Sequence, residues 1–233
     1  MRIFRIGAAF AASCVTALLT IGLPLAFAAD ETDHPVFSSD RPLELHLEIS
    51  PDEYRALQPA GAGFGGGGPG GPDAQGRPPK RSAKVSEKAR DTVRNRFGTA
   101  FPWVQATVSF EGKSWKKVGV RYSGDGSYMA AGNNLKRPLR LEFTRFGGAP
   151  FHGLAAIDLH SGTQDPSRVR ESLAFDLCRA AGVEAPRTGL AEVTLSVPGK
   201  LDHEPLGLYT LVEVVDGVFA RDRFGTDSGL LAH

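Results

Sequence analysis

The chain has 233 residues, 41% hydrophobic, 23% charged and 9% aromatic, with a formal net charge of +1. That composition belongs to a folded globular protein, too apolar and too neutral for a disordered tail, and of a length for one large domain or two small ones. The near-neutral balance speaks against a dedicated nucleic-acid binder, and two cysteines cannot build a disulfide-rich scaffold.

The first 28 residues read as a signal peptide. Arg2 and Arg5 form a short basic region, an apolar run follows from Ile6 to Leu25, and Ala26-Phe27-Ala28 supplies small residues at −3 and −1. A retained membrane anchor is the alternative, because the run is nearly long enough to span a bilayer. Cleavage after Ala28 removes Cys14 and leaves Cys178 as the sole cysteine, so an internal disulfide is excluded and stability must come from a packed core.

Residues 29–42 are polar and expected to be mobile. Leu43 to Ile49 alternates with the period of a half-buried strand. Ser50-Pro51-Asp52-Glu53 is a capping box with Pro at the first helical position, which predicts a short helix through Leu57. Pro59 to Pro79 then holds 9 Gly and 5 Pro in 21 positions and reads as a disordered insertion. It lacks the Gly-Lys-Ser/Thr ending of a phosphate-cradling loop. Lys80 to Arg96 carries seven Lys/Arg against two acids. A solvated linker is the reading taken for it, with an anionic-polymer or membrane contact as the alternative.

From Phe101 the chain becomes dense. Val104 to Phe110 and Val118 to Tyr122 alternate around Glu111-Gly112, which predicts a hairpin. Ser123 to Ser127 breaks the pattern, and Pro138 to Phe143 and Leu154 to Leu159 read as two more strands. Asp165-Pro166-Ser167 predicts a helix start, with Val169, Leu173, Leu177 and Ala181 on one buried face and Gly182 at the end. Leu190 to Val197 and Gly207 to Val215 are strands, the latter nearly continuous in apolar character and so central in the sheet. Val218 to Phe224 is a short helix or turn. The order predicts an α+β fold, an antiparallel sheet with one principal helix on a face.

Familiar catalytic motifs are missing. There is no Gly-x-Ser-x-Gly elbow, no His-Glu-x-x-His helix and no His-Arg-Asp loop. The six histidines show no ligand spacing and read as surface or turn residues, and Cys178 reads as a buried structural thiol. One arrangement carries chemistry. A Gly-rich loop (Gly124, Gly126) precedes a strand led by Lys136, and Glu171 sits in the first turns of the next helix. A strand Lys paired with a helix Glu is how kinases hold nucleotide phosphates, with Glu213 on the strand leading to a hinge. The plainer alternative makes Lys136 a surface lysine and Glu171 a helix N-terminal acid.

Gly119-Val120-Arg121-Tyr122-Ser123-Gly124-Asp125-Gly126-Ser127 and Leu135-Lys136-Arg137-Pro138-Leu139-Arg140-Leu141-Glu142-Phe143 resemble the Arg-Gly-Asn-Ser loop and Lys-Lys-Ser-Tyr-Arg strand of the spore-coat CotH kinase family. Leu159-His160 with Asp165 to Glu171, Gly182 to Pro186, Gly207 to Glu213, Phe219 and Arg223-Phe224-Gly225 resemble later blocks, so the likeness runs collinearly over about 43 to 231. It implies the N-terminal lobe and hinge of an atypical protein kinase within 43–233, interrupted by the 59–79 insertion and the basic 80–96 segment. It implies ATP and a divalent metal, Mg or Mn, as cofactors for phosphoryl transfer to protein Ser/Thr. Lys136 would contact the phosphates, Glu171 would orient it, and Glu213 would sit at the adenine-side hinge.

Two departures stand out. His233 lies near the place of a family lysine, and the family's metal-binding and catalytic aspartates lie beyond, in a second lobe. The chain therefore reads as truncated and inactive as it stands, with no catalytic residue or metal ligand assigned. The other reading is a catalytically inactive binding or cell-envelope or spore-coat scaffold module. The expected partner is a protein substrate or an envelope or coat protein, without nucleic acid and without a transmembrane segment after signal cleavage. The expected location is secreted, or the cell envelope or periplasm.

Overall fold

A computed structural model describes residues 34–59 and 92–229. The expected signal peptide, nearly all of the Gly/Pro-rich insertion, the first part of the basic segment and the last four residues lie outside the described residues.

Alternation dictates the first strand. β1 (Leu43–Glu48) buries Leu43, Leu45 and Leu47 and exposes Glu44 and Glu48. α1 (Pro51–Leu57) starts as its sequence requires, with Ser50 Oγ accepting from the Glu53 N–H at 3.3 Å. The Glu53 carboxylate does not complete the capping box and accepts from the Gln105 N–H instead, at 3.4 Å. The chain continues through β2 (Thr92–Arg94), β3 (Ala100–Pro102), β4 (Val104–Phe110), β5 (Lys113–Tyr122), α2 (Gly126–Ala131), β6 (Leu139–Glu142) and β7 (Ala156–His160). α3 (Arg170–Ala180), β8 (Thr188–Val197), β9 (Leu201–Glu213) and α4 (Gly217–Phe224) follow. The predicted β4–β5 hairpin forms. Its two central residues, Glu111 at φ 48° and Gly112 at φ 73°, both adopt the left-handed conformation that a tight hairpin turn demands.

Seven strands close into a barrel in the order β1-β4-β5-β6-β7-β9-β8, while β2 and β3 make a separate two-stranded sheet. All neighbours pair antiparallel except β1 and β8, which run parallel from Leu43 against Ala191 to Glu48 against Ser196. Inward side chains fill the interior, among them Leu45, Leu47, Val108, Val120, Leu141, Ile157, Leu159, Val193 and Leu211, none more than 1% exposed. Phe143 and Phe151 stack at 4.8 Å beside them.

This overturns the expected α+β sheet with one principal helix, a kinase-like lobe. The predicted strands exist, but they close on themselves and so bury their inner faces without a covering helix. α3 buries none of its residues. Val169, Leu173 and Leu177, expected to face the sheet, are 51%, 55% and 62% exposed, and Cys178 is exposed rather than buried. The helix also starts later than predicted. Asp165 accepts from the backbone N–H groups of Ser167 and Arg170, forming a turn, and Arg168 at φ 62° separates that turn from Arg170. Among the described residues no helix is long and apolar enough to cross a membrane.

The barrel interior therefore carries the stability. Leu47→Ala should cost about 2–5 kcal/mol, because it opens a cavity in the closed core. Leu177→Ala should stay within about 0.5 kcal/mol, as for an exposed position. Denaturant unfolding of both variants measures the contrast, and a large loss at Leu177 would contradict an uncovered helix.

A candidate ligand cleft on the outer face of the barrel

Strand register places three charged side chains abreast. Arg121 pairs across to Arg140 and Arg140 to Asp158, so β5, β6 and β7 present them side by side. The next row, Tyr122, Leu139 and Leu159, points into the core. Alternation thus forces the charged row outward. Arg140 Nη1 donates to Asp158 Oδ2 at 3.1 Å, and its Nε lies 3.6 Å from Glu142. The Arg121 guanidinium lies 4.9 Å from the Trp103 ring centre and donates to the Tyr122 carbonyl at 2.9 Å. Burial, and then the like charge of Arg140, lower the Arg121 pKa. Burial raises that of Asp158 against the opposing pull of Arg140.

The row forms the floor of a cleft of about 730 Å³. Its walls are the Ser123–Ser127 loop, the 161–165 segment, the start of α3 and the β2 end of the β2–β3 hairpin. Gly124 at φ 78° suits this turn because L side chains rarely adopt that backbone conformation, and a Cβ would also displace Ser127 Oγ, 2.3 Å away. Asp125 ties the loop to the hairpin by accepting from the Arg96 N–H at 3.1 Å. Among the described residues three buried side-chain atoms lack a hydrogen-bond partner: Asn95 Nδ2, Arg121 Nε and Asp158 Oδ1. All three residues line this cleft. An unmade buried hydrogen bond costs about 1–3 kcal/mol, so gathering three in one concavity marks a place prepared to bind polar groups.

His160, two residues after Asp158 on β7, donates from Nδ1 to Glu171 Oε1 at 2.7 Å. Burial opposes the charged ring. The Glu171 hydrogen bond and the charges of Glu171 and Asp158 outweigh it, so the pKa stands above the ordinary 6.5.

Of the residues singled out by sequence, Glu171 lines the cleft, partnered by His160. Lys136 is not ion-paired with it. Lys136 lies in an adjoining pocket of about 390 Å³ with Arg168, donates to the Leu208 carbonyl and sits 5.2 Å from the Tyr209 ring centre. Burial and then Arg168 lower its pKa. Thr163 lines both pockets. Glu213 lines neither. It is buried, and its Oε2 accepts from the Arg187 N–H at 3.0 Å and Nε at 3.1 Å while Arg187 Nη2 reaches Oε1. Arg223 approaches the same carboxylate at 3.5 Å. Arg121, Arg140, Asp158, His160 and Asn95 were missed as site residues. A signal existed in Val-Arg-Tyr, Leu-Arg-Leu and Ile-Asp-Leu, each a charge between two inward apolar residues, but only register shows that they are neighbours. No three His, Cys, Asp or Glu side chains come together to hold a metal among the described residues.

Two expectations follow. Because the folded His160 pKa is raised, its stabilising contribution is complete below about pH 6.5 and is lost as pH rises through the folded value. Unfolding midpoints followed from about pH 5.5 to about 8.5 should show this decline in the wild type and a flatter profile in Glu171→Gln. Glu213→Ala removes the buried carboxylate that accepts from Arg187 and faces Arg223, and should cost about 3–5 kcal/mol in denaturant unfolding.

Sixteen of the cleft's twenty lining residues fall between Arg121 and Glu171. Among curated proteins none matches the chain. Residues 120–233 match the family described as CotH kinase protein.

Proposed function

We propose, from the match of residues 120–233 to the CotH kinase protein family and from the cleft's polar lining, that the cleft holds the phosphates of a nucleotide and that the chain forms the nucleotide-binding part of a kinase-like phosphotransferase. The observation carrying this reading is the convergence of unpartnered Arg121 Nε and Asn95 Nδ2 in a cleft also lined by Arg94, Arg140 and Arg170. Phosphoryl transfer depends mainly on positioning and charge neutralisation, and arginines supply both to phosphate oxygens. Bound ATP would supply the transferable phosphoryl group.

The chain's own residues then divide the work. Arg121, held over Trp103 and short of one partner, donates to a phosphate oxygen. Arg140, already neutralised by Asp158 and Glu142, holds the row in register. Gly124 keeps the loop backbone free of a side chain, so a ligand approaches it closely. Glu171 fixes the His160 ring and favours a proton on it. Lys136 provides the cation of the adjoining pocket, which a ligand extending past Thr163 meets. Glu213 supports the end of β9 through Arg187. The divalent metal that the family implies finds no three-ligand set among the described residues, so no step is routed through it. The acceptor in this reading is a Ser or Thr of an exported protein, of the cell envelope or a spore coat, with export resting on the signal peptide expected from residues 1–28.

ATP titration by calorimetry tests the proposal, with thermal unfolding as the folding control. Arg121→Met should weaken ATP about tenfold or more with the fold retained. Lys136→Ala should weaken it as well, because the ammonium contributes little to the core. Equal ATP affinity in wild type and Arg121→Met would overturn the assignment of the cleft.

A further inference from the structure

The β2–β3 hairpin lies outside residues 120–233, yet it supplies Val93, Arg94 and Asn95 to the cleft. Its base is fixed. Phe101 is 1% exposed and packs on Tyr128 with ring centres 4.7 Å apart, and Thr99 is 2% exposed. Its turn is closed by Asn95, whose backbone N–H donates to the Thr99 carbonyl at 3.0 Å and whose carbonyl accepts from Gly98 at 2.9 Å. The Asn95 side chain closes it further, since Oδ1 accepts from the N–H groups of Phe97 at 3.1 Å and Thr99 at 2.9 Å. Two donors on that atom settle which end of the amide is oxygen. Nδ2 is therefore held on the other side, buried and without a partner. Arg96 completes the mounting, with its N–H 3.1 Å from Asp125 Oδ1 and its Nε 3.4 Å from Oδ2.

We propose that Asn95 is a ligand-binding residue of the cleft, its Nδ2 donating to a phosphate oxygen of the bound nucleotide, and that the β2–β3 hairpin is a fixed part of the binding site. The inference rests on the nucleotide reading above and extends it to a residue that the family match does not reach. The chemistry is specific. A buried amide N–H needs an acceptor, and Arg121 Nε, also unpartnered in this cleft, is a second donor, so acceptor oxygens on a ligand satisfy both, while the unpartnered Asp158 Oδ1 calls for a donor such as a hydroxyl. The geometry needs no moving lid, because Asn95 is oriented by its own turn before any ligand arrives, which lowers the ordering cost of binding.

Asn95→Asp is the discriminating variant. It keeps the oxygen that caps Phe97 and Thr99 and replaces the donor with a second acceptor, so the hairpin is retained while phosphate is repelled. ATP titration of the full chain should show about a tenfold or greater loss in Asn95→Asp with an unchanged thermal midpoint. A wild type that binds ATP with no loss in the variant overturns the role of Asn95 and leaves the nucleotide reading standing. A wild type that does not bind ATP overturns both. Should Asn95→Asp fold poorly, amide hydrogen exchange in the wild type decides. ATP should slow exchange at Phe97 and Thr99 together with the Ser123–Ser127 loop. Slowing confined to the loop would overturn the inference.

Discussion

The parallel pairing of β1 with β8 is the contact on which the rest of this architecture depends. It joins Leu43 to Ala191 and Glu48 to Ser196, segments separated by most of the domain. Without it both strands would be sheet edges with unpaired backbone groups, and the inner faces of seven strands would need a separate cover. With it the sheet covers itself. The closure also explains why α3 buries nothing, since the sheet covers its own inner face, while α1 contributes Leu57 to the core. Function is thereby displaced to the outer face, where β5, β6 and β7 carry a polar row and local loops build walls around it.

That row concentrates electrostatic tension. Two arginines lie side by side, Asp158 and Glu142 both pair with Arg140, and Arg121 is lodged against an indole face instead. Elsewhere the buried charges are well compensated, as with Glu213 between Arg187 and Arg223. The contrast separates the two clusters. One is a closed ion pair fastening β9 to the chain ahead of β8, and the other retains unused donors and an unused acceptor. Local energy left unrecovered at a concave surface is the usual mark of a binding site rather than of a structural joint.

Much of the secondary structure was legible because its causes are local. Alternation located β1, β4, β5 and β8, and the Ser50-Pro51 cap located a short helix. The sheet's closure was not legible, because nothing in the period of Leu43–Glu48 names β8 as its partner. The α3 stripe misled for a related reason. Leu173 and Leu177 satisfy a helical period, but periodicity says which side chains share a face and not whether anything covers that face. The site was half legible. Glu171 belongs to the cleft, whereas the pairing of Lys136 with it was read from a kinase pattern that this barrel does not reproduce. Arg121, Arg140 and Asp158 become a site only through register, a property of three strands at once. Asn95 needed the orphaned amide to be seen.

The uncovered face of α3 has a practical consequence for how folding of this chain is monitored. Val169, Leu173 and Leu177 together present an apolar stripe to solvent in the native state. Environment-sensitive dyes bind such surfaces as readily as they bind the loosened interior of a partly folded chain. Fluorescence gained on adding such a dye would therefore report the native helix as well as any collapse intermediate. Near-ultraviolet circular dichroism, to which the buried packing of Phe101, Phe143 and Tyr209 contributes, senses the barrel interior instead and separates the two states.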